Sequence, residues 1–240
     1  MKLPLLKELI EPLGANVLAC ELHCEGITRK PEEGHPSRGL HLEEDEHGRD
    51  DGVIVCGLNP GSPQKDELKD YRDRFRQGTL TYAVIQGYWE ENLCQHRYLE
   101  SSRKLVWGLG FRGPILWTNV AKCEREDSER RISFDTNPQT FRFCADRFLR
   151  HEIKACPVNW PIIANGKDAF VAVSYMFPER LIIGIPHPTG AHPNFSRMFL
   201  SPGVLRPDIV QRVSSFVATC PQGALWLGAE AGVGSRAKSV

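Results

Sequence analysis

Four short runs of apolar residues divide the middle of the chain, and turn-forming residues bound each of them. The runs extend from Val53 to Leu58, Ile115 to Trp117, Pro161 to Ala164 and Leu181 to Ile185. They are nearly continuous in Val, Ile and Leu, whereas a strand with one solvated face would alternate apolar and polar residues. The pattern therefore predicts four parallel strands that are buried on both faces.

Apolar residues with helical spacing lie before, between and after these runs. They predict helices over residues 2–10, 97–109, 138–155, 167–176 and 207–219. The charged segment 65–78 is typical of a further helix, either a solvated one or one whose basic face, with Arg72 and Arg76, contacts phosphate. Strands that alternate with helices predict an α/β fold, here a three-layer sandwich whose central four-stranded parallel sheet is flanked by helices.

The rest of the chain shows no periodic pattern. Segment 25–51 is rich in Gly, Glu and His and predicts a polar loop insertion, and the small, polar residues 228–240 predict a disordered tail. We therefore expect one domain over residues 1–220.

Composition narrows the class of protein. The 240 residues carry thirty Lys and Arg against thirty Asp and Glu, and 41% of them are hydrophobic, which excludes disordered, collagen-like and coiled-coil chains. No apolar stretch reaches the roughly 18 to 20 residues of a membrane helix, and the charged first segment is unlike a signal peptide. We expect an intracellular, cytoplasmic monomer with no membrane partner. Net neutrality does not favour bulk polyanion binding, but twenty of the basic residues are Arg, which suits forked phosphate contacts, so DNA stays a candidate.

The residues that leave each predicted strand carry the candidate chemistry, because ligands of such sheets bind beyond the carboxyl ends of the strands. The first strand leads into GLNPG with Asn59, the second into TNVAKC with Asn119, and the fourth into HPTG with His187. Two amides and an imidazole are therefore expected at one edge of the sheet. Each also has an ordinary structural explanation, as a turn, a cap or a loop contact.

Together these three motifs resemble the uracil-DNA glycosylase superfamily. GLNPG is similar to the GxNPG loop of its mismatch-specific and single-strand-selective branches, whereas TNVAKC is similar to the TNVVKC segment of its iron-sulfur-containing branch. The resemblance covers roughly residues 53–200. It implies a domain with the fold of that superfamily.

The resemblance also implies roles that suit cleavage of an N-glycosidic bond. Asn59 would orient a water beneath the sugar, and His187 would donate a hydrogen bond to the departing base. Asn119 offers the donors and the acceptor that fit an imide edge such as that of uracil. Gly57 and Leu58 would line the base pocket.

Two further kinds of contact are expected around that pocket. An aromatic should stack on the extruded base, and the segment after GLNPG offers Tyr71, which we prefer, and Phe75. Lys122 and Arg197 are candidate phosphate contacts. In HPTG, Thr189 stands where the family usually has Ser, and residues 191–195 occupy the place of the segment that wedges into a duplex.

Four of the eight cysteines follow the order of the metal ligands in the iron-sulfur branch. Cys20 and Cys24 lie near the start, Cys123 ends TNVAKC, and Cys144 lies in the next helix. The first pair has C-x3-C spacing where the branch usually has C-x2-C, and Cys144 follows Cys123 by 21 positions, a somewhat long interval. The resemblance implies a [4Fe-4S] cluster. Zinc, with His23 or His41 in place of one thiolate, and four thiols without metal are the alternatives.

These expectations combine into a monofunctional DNA glycosylase, a hydrolase of DNA repair. It would flip a deaminated base, uracil first, out of single-stranded or mismatched DNA and hydrolyse its bond to deoxyribose. A non-catalytic nucleic-acid-binding relative of the same fold is the alternative, and a hydrolase of small nucleosides is a third hypothesis.

Overall fold

The structure is a computed structural model and describes residues 3–45, 49, 51–125, 137–188, 199 and 204–228. The helices are α1 (Leu3–Leu18), α2 (Lys65–Arg76), α3 (Tyr82–Tyr88), α4 (Arg97–Gly108), α5 (Pro138–Cys144), α6 (Arg150–Ala155), α7 (Lys167–Met176) and α8 (Pro207–Thr219). The strands are β1 (Ile27–Thr28), β2 (Leu40–Glu43), β3 (Val53–Gly57), β4 (Ile115–Asn119), β5 (Glu124–Arg125), β6 (Ile162–Asn165), β7 (Leu181–Ile185) and β8 (Gly223–Trp226). A π-helical turn extends α3, and another joins α5 to α6.

A six-stranded sheet in the order β2-β4-β3-β6-β7-β8 forms the centre of the fold. Every neighbouring pair is parallel except β2 with β4. The α/β class and the four predicted strands are confirmed, and those strands occupy the middle of the sheet. The prediction missed both edge strands, because β8 is short and β2 lies in the segment expected to be a polar loop.

The two faces of the sheet carry separate cores. Ile54 and Cys56 of β3 pack in a cluster that includes α1, α5 and α6, whereas Val53 and Val55 pack in a second cluster with α4 and α8. Successive side chains of a strand point to opposite faces, so a strand that is apolar at every position needs a helical layer on each side. No helix in the described part of the chain is long and apolar enough to span a membrane.

Segment 25–51 folds because its polar residues find buried partners. His41 of β2 stacks on Trp89, with ring centroids 5.2 Å apart, and Glu43 accepts hydrogen bonds from Arg103 at 2.6 Å and Trp117 at 2.8 Å. A polar residue with satisfied hydrogen bonds, as Glu43 is, can occupy a buried edge strand. Because these partners are distant in sequence, composition alone gave no sign of them.

Candidate active site

The loops that follow β3 and β4 are hydrogen-bonded to each other. Gly57 lies opposite Asn119 in the last register position of the two strands. Beyond it, the Val120 N–H donates to the Gly57 carbonyl at 2.9 Å and the Ala121 N–H donates to the Leu58 carbonyl at 2.9 Å. Main-chain hydrogen bonds therefore join the GLNPG loop to the TNVAKC loop at the carboxyl edge of the sheet.

Two glycines leave the space that the Asn119 side chain occupies. A Cβ on Gly57 would come within 2.6 Å of Asn119 Oδ1, and a Cβ on Gly39 within 2.9 Å of Asn119 Nδ2. Gly39 also has a φ of +100°, which favours glycine. The close approach of the two glycines restricts the orientation of the half-buried Asn119 carboxamide. This carboxamide forms no hydrogen bond to any described residue, so both of its donors and its acceptor stay open.

Asn59 is oriented by its own loop. Its Nδ2 donates to the main-chain carbonyl of Pro60 at 2.8 Å, and its Oδ1 accepts no hydrogen bond within the described part of the chain. One of the two Nδ2 hydrogens is used in this way and orients the half-buried side chain, so that its carbonyl oxygen stays open to a water.

The buried Arg38 side chain binds the loop that contains Asn59. Its Nη2 donates to the Gly61 carbonyl at 2.7 Å and to Glu124 at 3.0 Å, and its Nη1 donates to Glu67. Burial alone would lower the pKa of Arg38, but the carboxylates of Glu67 and Glu124 raise it overall. A charged guanidinium, whose Nε also donates to Glu124 at 3.3 Å, thus connects GLNPG to α2 and to β5.

Tyr98, in the first turn of α4, connects the two halves of the site. Its hydroxyl lies 3.2 Å from the position of a Gly57 Cβ, the point that Asn119 Oδ1 also approaches. Its ring packs against His187 with centroids 5.2 Å apart. Tyr98 is therefore next to the Asn119 carboxamide at one end and next to the imidazole at the other.

Asn165, the last residue of β6, fixes the Tyr98 hydroxyl. Its Nδ2 donates to the Tyr98 oxygen at 2.7 Å and to Ser102 Oγ at 3.1 Å. Burial raises the pKa of Tyr98 to about 12, so the hydroxyl keeps its proton at neutral pH. Since the Tyr98 oxygen already accepts from Asn165, its own hydrogen is free to be donated elsewhere.

Comparison with known proteins assigns no role to these residues. No protein-family model matches the chain, and no curated protein matches it either. The roles of Asn59, Asn119 and His187 therefore depend on the contacts that these residues make.

Two predicted site residues have no access to a ligand. Tyr71 is fully buried, with its ring against Tyr88 at 5.4 Å, and burial raises the pKa of its hydroxyl. It cannot stack on a base from this position, which corrects the prediction; Phe75, the other candidate, is 42% exposed on α2. Lys122 is 1% exposed and paired with Glu152 at 2.6 Å, so it cannot reach a phosphate as predicted.

Three predicted features lie outside the described residues. They are Arg197, Thr189 and the wedge segment 191–195; the predicted tail also lies outside them beyond Gly228. The phosphate contact and the duplex wedge therefore stay predictions.

The cysteines of the predicted metal site influence one another's pKa values. Burial, and next the Cys20 thiol, raise the pKa of Cys24. Burial raises the pKa of Cys123 to about 11, and the thiols of Cys20 and Cys24 contribute. Burial likewise raises the pKa of Cys144 to about 12, with a contribution from Cys123. Segments far apart in sequence thus bring these thiols into electrostatic range.

A single metal ion and an iron-sulfur cluster need different arrangements of thiols. Within the described ranges, no three His, Cys, Asp or Glu side chains are grouped so that they could hold a single metal ion. A four-iron cluster is larger than one ion and takes its thiolates from several segments, as here. The Cys123 and Cys144 sulfurs also have hydrogen-bond partners, Ser37 Oγ at 3.2 Å and the Lys122 N–H at 3.3 Å. Whether the four thiols hold a cluster, zinc or no metal stays a prediction.

Sequence reasoning assigned no role to Tyr98, Asn165 or Arg38. Asn165 leaves a predicted strand, so its position was a signal. Tyr98 lies far from every motif, and Arg38 lies in the segment expected to be a loop. Only the packing of α4 and β2 against the sheet places these two side chains.

Proposed function

We propose that this protein is a DNA glycosylase with the fold of the uracil-DNA glycosylase superfamily, which hydrolyses the N-glycosidic bond of an extruded uracil. The observation that carries the proposal is the position of Tyr98, whose hydroxyl lies beside the open Asn119 carboxamide and whose ring packs on His187. A base reader, an aromatic wall and a donor for the departing base would thus border one small volume.

The Asn119 carboxamide suits uracil. Its Nδ2 would donate to O4 and its Oδ1 would accept the N3 hydrogen, a pattern that cytosine cannot match because it has an amino group and an unprotonated N3 at these places. The two glycines that restrict the carboxamide favour one orientation. Tyr98 replaces Tyr71 as the aromatic that borders the base.

Bond cleavage would follow from the charges that develop. As the bond from C1′ to N1 breaks, its electron pair passes to the base and is shared with O2, where a hydrogen bond from His187 would stabilise it. The sugar becomes cationic, and a water held by Asn59 Oδ1 would form the new bond to C1′ and release its proton to bulk water, from which the uracil anion takes up a proton once it has left. An amide is a weak base, so Asn59 would act by orienting the water.

A DNA strand would be held at the same edge. Arg97 begins α4 beside Tyr98, and Lys167 begins α7 after Asn165 and Gly166. Both side chains are exposed, and neither pairs with a carboxylate in the described part of the chain. Unpaired cations on both sides of a base-binding volume favour a polymer over a free nucleoside.

The four cysteines would hold a [4Fe-4S] cluster, which would tie the N-terminal segment to the loop that carries Asn119. Protein purified without oxygen should then be brown, with about four iron and about four sulfide per chain. Cys20→Ser should lower the free energy of unfolding before it lowers base release, whereas Cys220→Ser, in a half-exposed thiol at the end of α8, should do neither. About one zinc per colourless chain, or no metal, would exclude the cluster.

Base release tests the proposed function directly. The protein is incubated with uracil in single-stranded and in G·U-mismatched oligonucleotides, and abasic sites are counted after alkaline cleavage. Asn59→Ala and His187→Ala should each reduce the rate ~100-fold or more, if each group supplies ~2.7 kcal/mol to the transition state. The controls are Asn92→Ala and His151→Ala, in exposed side chains on other elements. Full activity in both site variants excludes these roles, and tight binding with no release in the wild type indicates a non-catalytic binding protein.

A further inference from the structure

A buried ion pair lies directly beneath the base-reading residue. Lys122 is 1% exposed and Glu152 of α6 is 0% exposed. Lys122 Nζ lies 2.6 Å from Glu152 Oε2, 2.6 Å from Thr118 Oγ1 and 2.6 Å from the main-chain carbonyl oxygen of Asn119. An ammonium group has three hydrogens, so all of its donors are used.

The pair closes the turn that follows β4. Thr118 Oγ1 donates to Glu152 Oε2 at 2.6 Å while it accepts from Lys122, so the three side chains form a closed triangle. The Lys122 N–H in turn donates to Cys144 Sγ at 3.3 Å. Main chain and side chain of the same residue are thus fixed to α5 and α6, on one side of the sheet.

Stability alone does not explain this arrangement. Taking two charges out of water is costly, and apolar residues of similar volume often stabilise a core as well or better. Apolar residues, however, cannot donate a hydrogen bond to the main-chain carbonyl of Asn119. This bond sets the direction in which β4 ends. The two glycines restrict the carboxamide itself, so the residue is held at its main chain and at its side chain.

We propose that Lys122, with Glu152, is a positioning residue that fixes Asn119 for base recognition; this inference rests on the proposed function. Lys122 contacts no base or DNA and acts through the Asn119 carbonyl. The pair should therefore contribute to base recognition only while Asn119 is present. A purely structural pair would contribute equally with or without it.

The test removes the whole pair, because removal of one partner leaves a buried charge. Lys122→Met with Glu152→Leu is made in the wild type and in Asn119→Ala, and kcat and KM for uracil release are measured separately. We expect kcat/KM to fall about tenfold with Asn119 present and less than about twofold with Asn119→Ala. The matched control is Arg103→Met with Glu43→Leu, an ion pair of 2.6 Å next to the amino end of β4. Equal losses in both backgrounds overturn the proposal.

A second measurement decides the proposal even if no base is released. The side-chain NH2 signals of Asn119 are identified in 15N-labelled protein by their loss in Asn119→Ala. In the paired variant they should move toward the positions of a solvated, freely rotating amide, and in the control variant they should stay in place. Unchanged signals in the paired variant overturn the positioning role. Lys122→Met with Glu152→Gln, which also removes both charges but keeps the shape of the Glu152 side chain, gives the same test if the first paired variant does not fold.

Discussion

Two polar regions lie at the carboxyl edge of the sheet, one buried and one half-buried, and they differ in how many hydrogen bonds their side chains form. Beneath the edge, Lys122 and Arg38 are buried and bonded to carboxylates and main-chain carbonyls. On the edge, Asn59 and Asn119 are half-buried, and in the described part of the chain Asn119 forms no side-chain hydrogen bond. Buried polar groups are costly unless satisfied, so the lower region supports the fold, while the upper region has atoms left for a ligand.

This difference separates residues that a motif treats alike. Asn119 and Lys122 belong to the same TNVAKC segment, three positions apart, and both are polar. One has an open carboxamide and the other a completed set of bonds. Membership in a motif therefore identifies a neighbourhood, and only burial and bonding identify the residues that meet a ligand.

The largest expected effect comes from closing the space around Asn119. Gly57→Ala would place a methyl group 2.6 Å from Asn119 Oδ1, whereas Gly61→Ala, in the same loop, meets no atom within 4 Å. Displacing a base reader by about 1 Å can cost about 100-fold in rate, so we expect about that loss of uracil release for Gly57→Ala and none for Gly61→Ala. Equal activity of the two variants would show that the Asn119 carboxamide is not part of the site.

A smaller effect is expected from changing the chemistry of the same side chain. Asn119→Asp replaces a donor by an acceptor, which repels uracil O4 and accepts a hydrogen bond from the cytosine amino group. The ratio of uracil to cytosine release should fall about tenfold or more, because one well-placed pair discriminates by ~1–3 kcal/mol. Asn119→Ala is the control, since it loses the uracil contact without gaining one to cytosine. An unchanged ratio in Asn119→Asp would remove this residue from base recognition.

The sequence predicted the central sheet and the meeting of its motifs for a simple physical reason. Strands that are apolar at every position must be covered on both faces, and parallel strands end at one edge, so GLNPG and TNVAKC were expected at the same edge, where the structure has Gly57 opposite Asn119. Tyr98 and Arg38 could not be predicted in this way. Their places depend on how α4 and an edge strand pack, which are contacts between segments remote in sequence.

Tyr71 and Lys122 are the opposite case, because the sequence predicted ligand contacts that their burial does not allow. Both are close to a motif in sequence, and both are of a type that commonly contacts nucleic acid. The structure buries them, because α2 turns Tyr71 toward Tyr88 and α6 supplies Glu152 as a partner for Lys122. Residue type near a motif predicted the wrong exposure in both cases.

The buried region should also respond to acid through His41. Burial, and next the charge of Arg38, lower the pKa of His41 from 6.5 to about 3. Below pH 6.5 the unfolded chain therefore binds a proton that the folded chain refuses, and stability falls toward pH 3 by about 1.4 kcal/mol per pH unit from this group. His41→Phe, which keeps an aromatic ring against Trp89, should flatten the unfolding free energy between about pH 6 and about pH 4. His151→Gln, in an exposed side chain on α6, should leave the slope as it is, and an equal slope in His41→Phe would place the acid sensitivity elsewhere.

The smallest effect is expected at the exposed cations that flank the edge. Arg97 and Lys167 begin α4 and α7 beside Tyr98 and Gly166, so the proposed function predicts that a strand leaving the base-binding volume passes them. Each phosphate contact adds about 0.7 to the dependence of log K on log salt for single strands. Arg97→Gln with Lys167→Gln should therefore reduce the slope by about 1.4 in a binding titration with uracil-containing single strands. Lys154→Gln is the matched control, because this exposed residue lies at the end of α6 that leads into the amino end of β6. If the paired variant binds with the wild-type slope, the edge does not hold a phosphate backbone, and hydrolysis of a free nucleoside becomes the better account of the same open carboxamides.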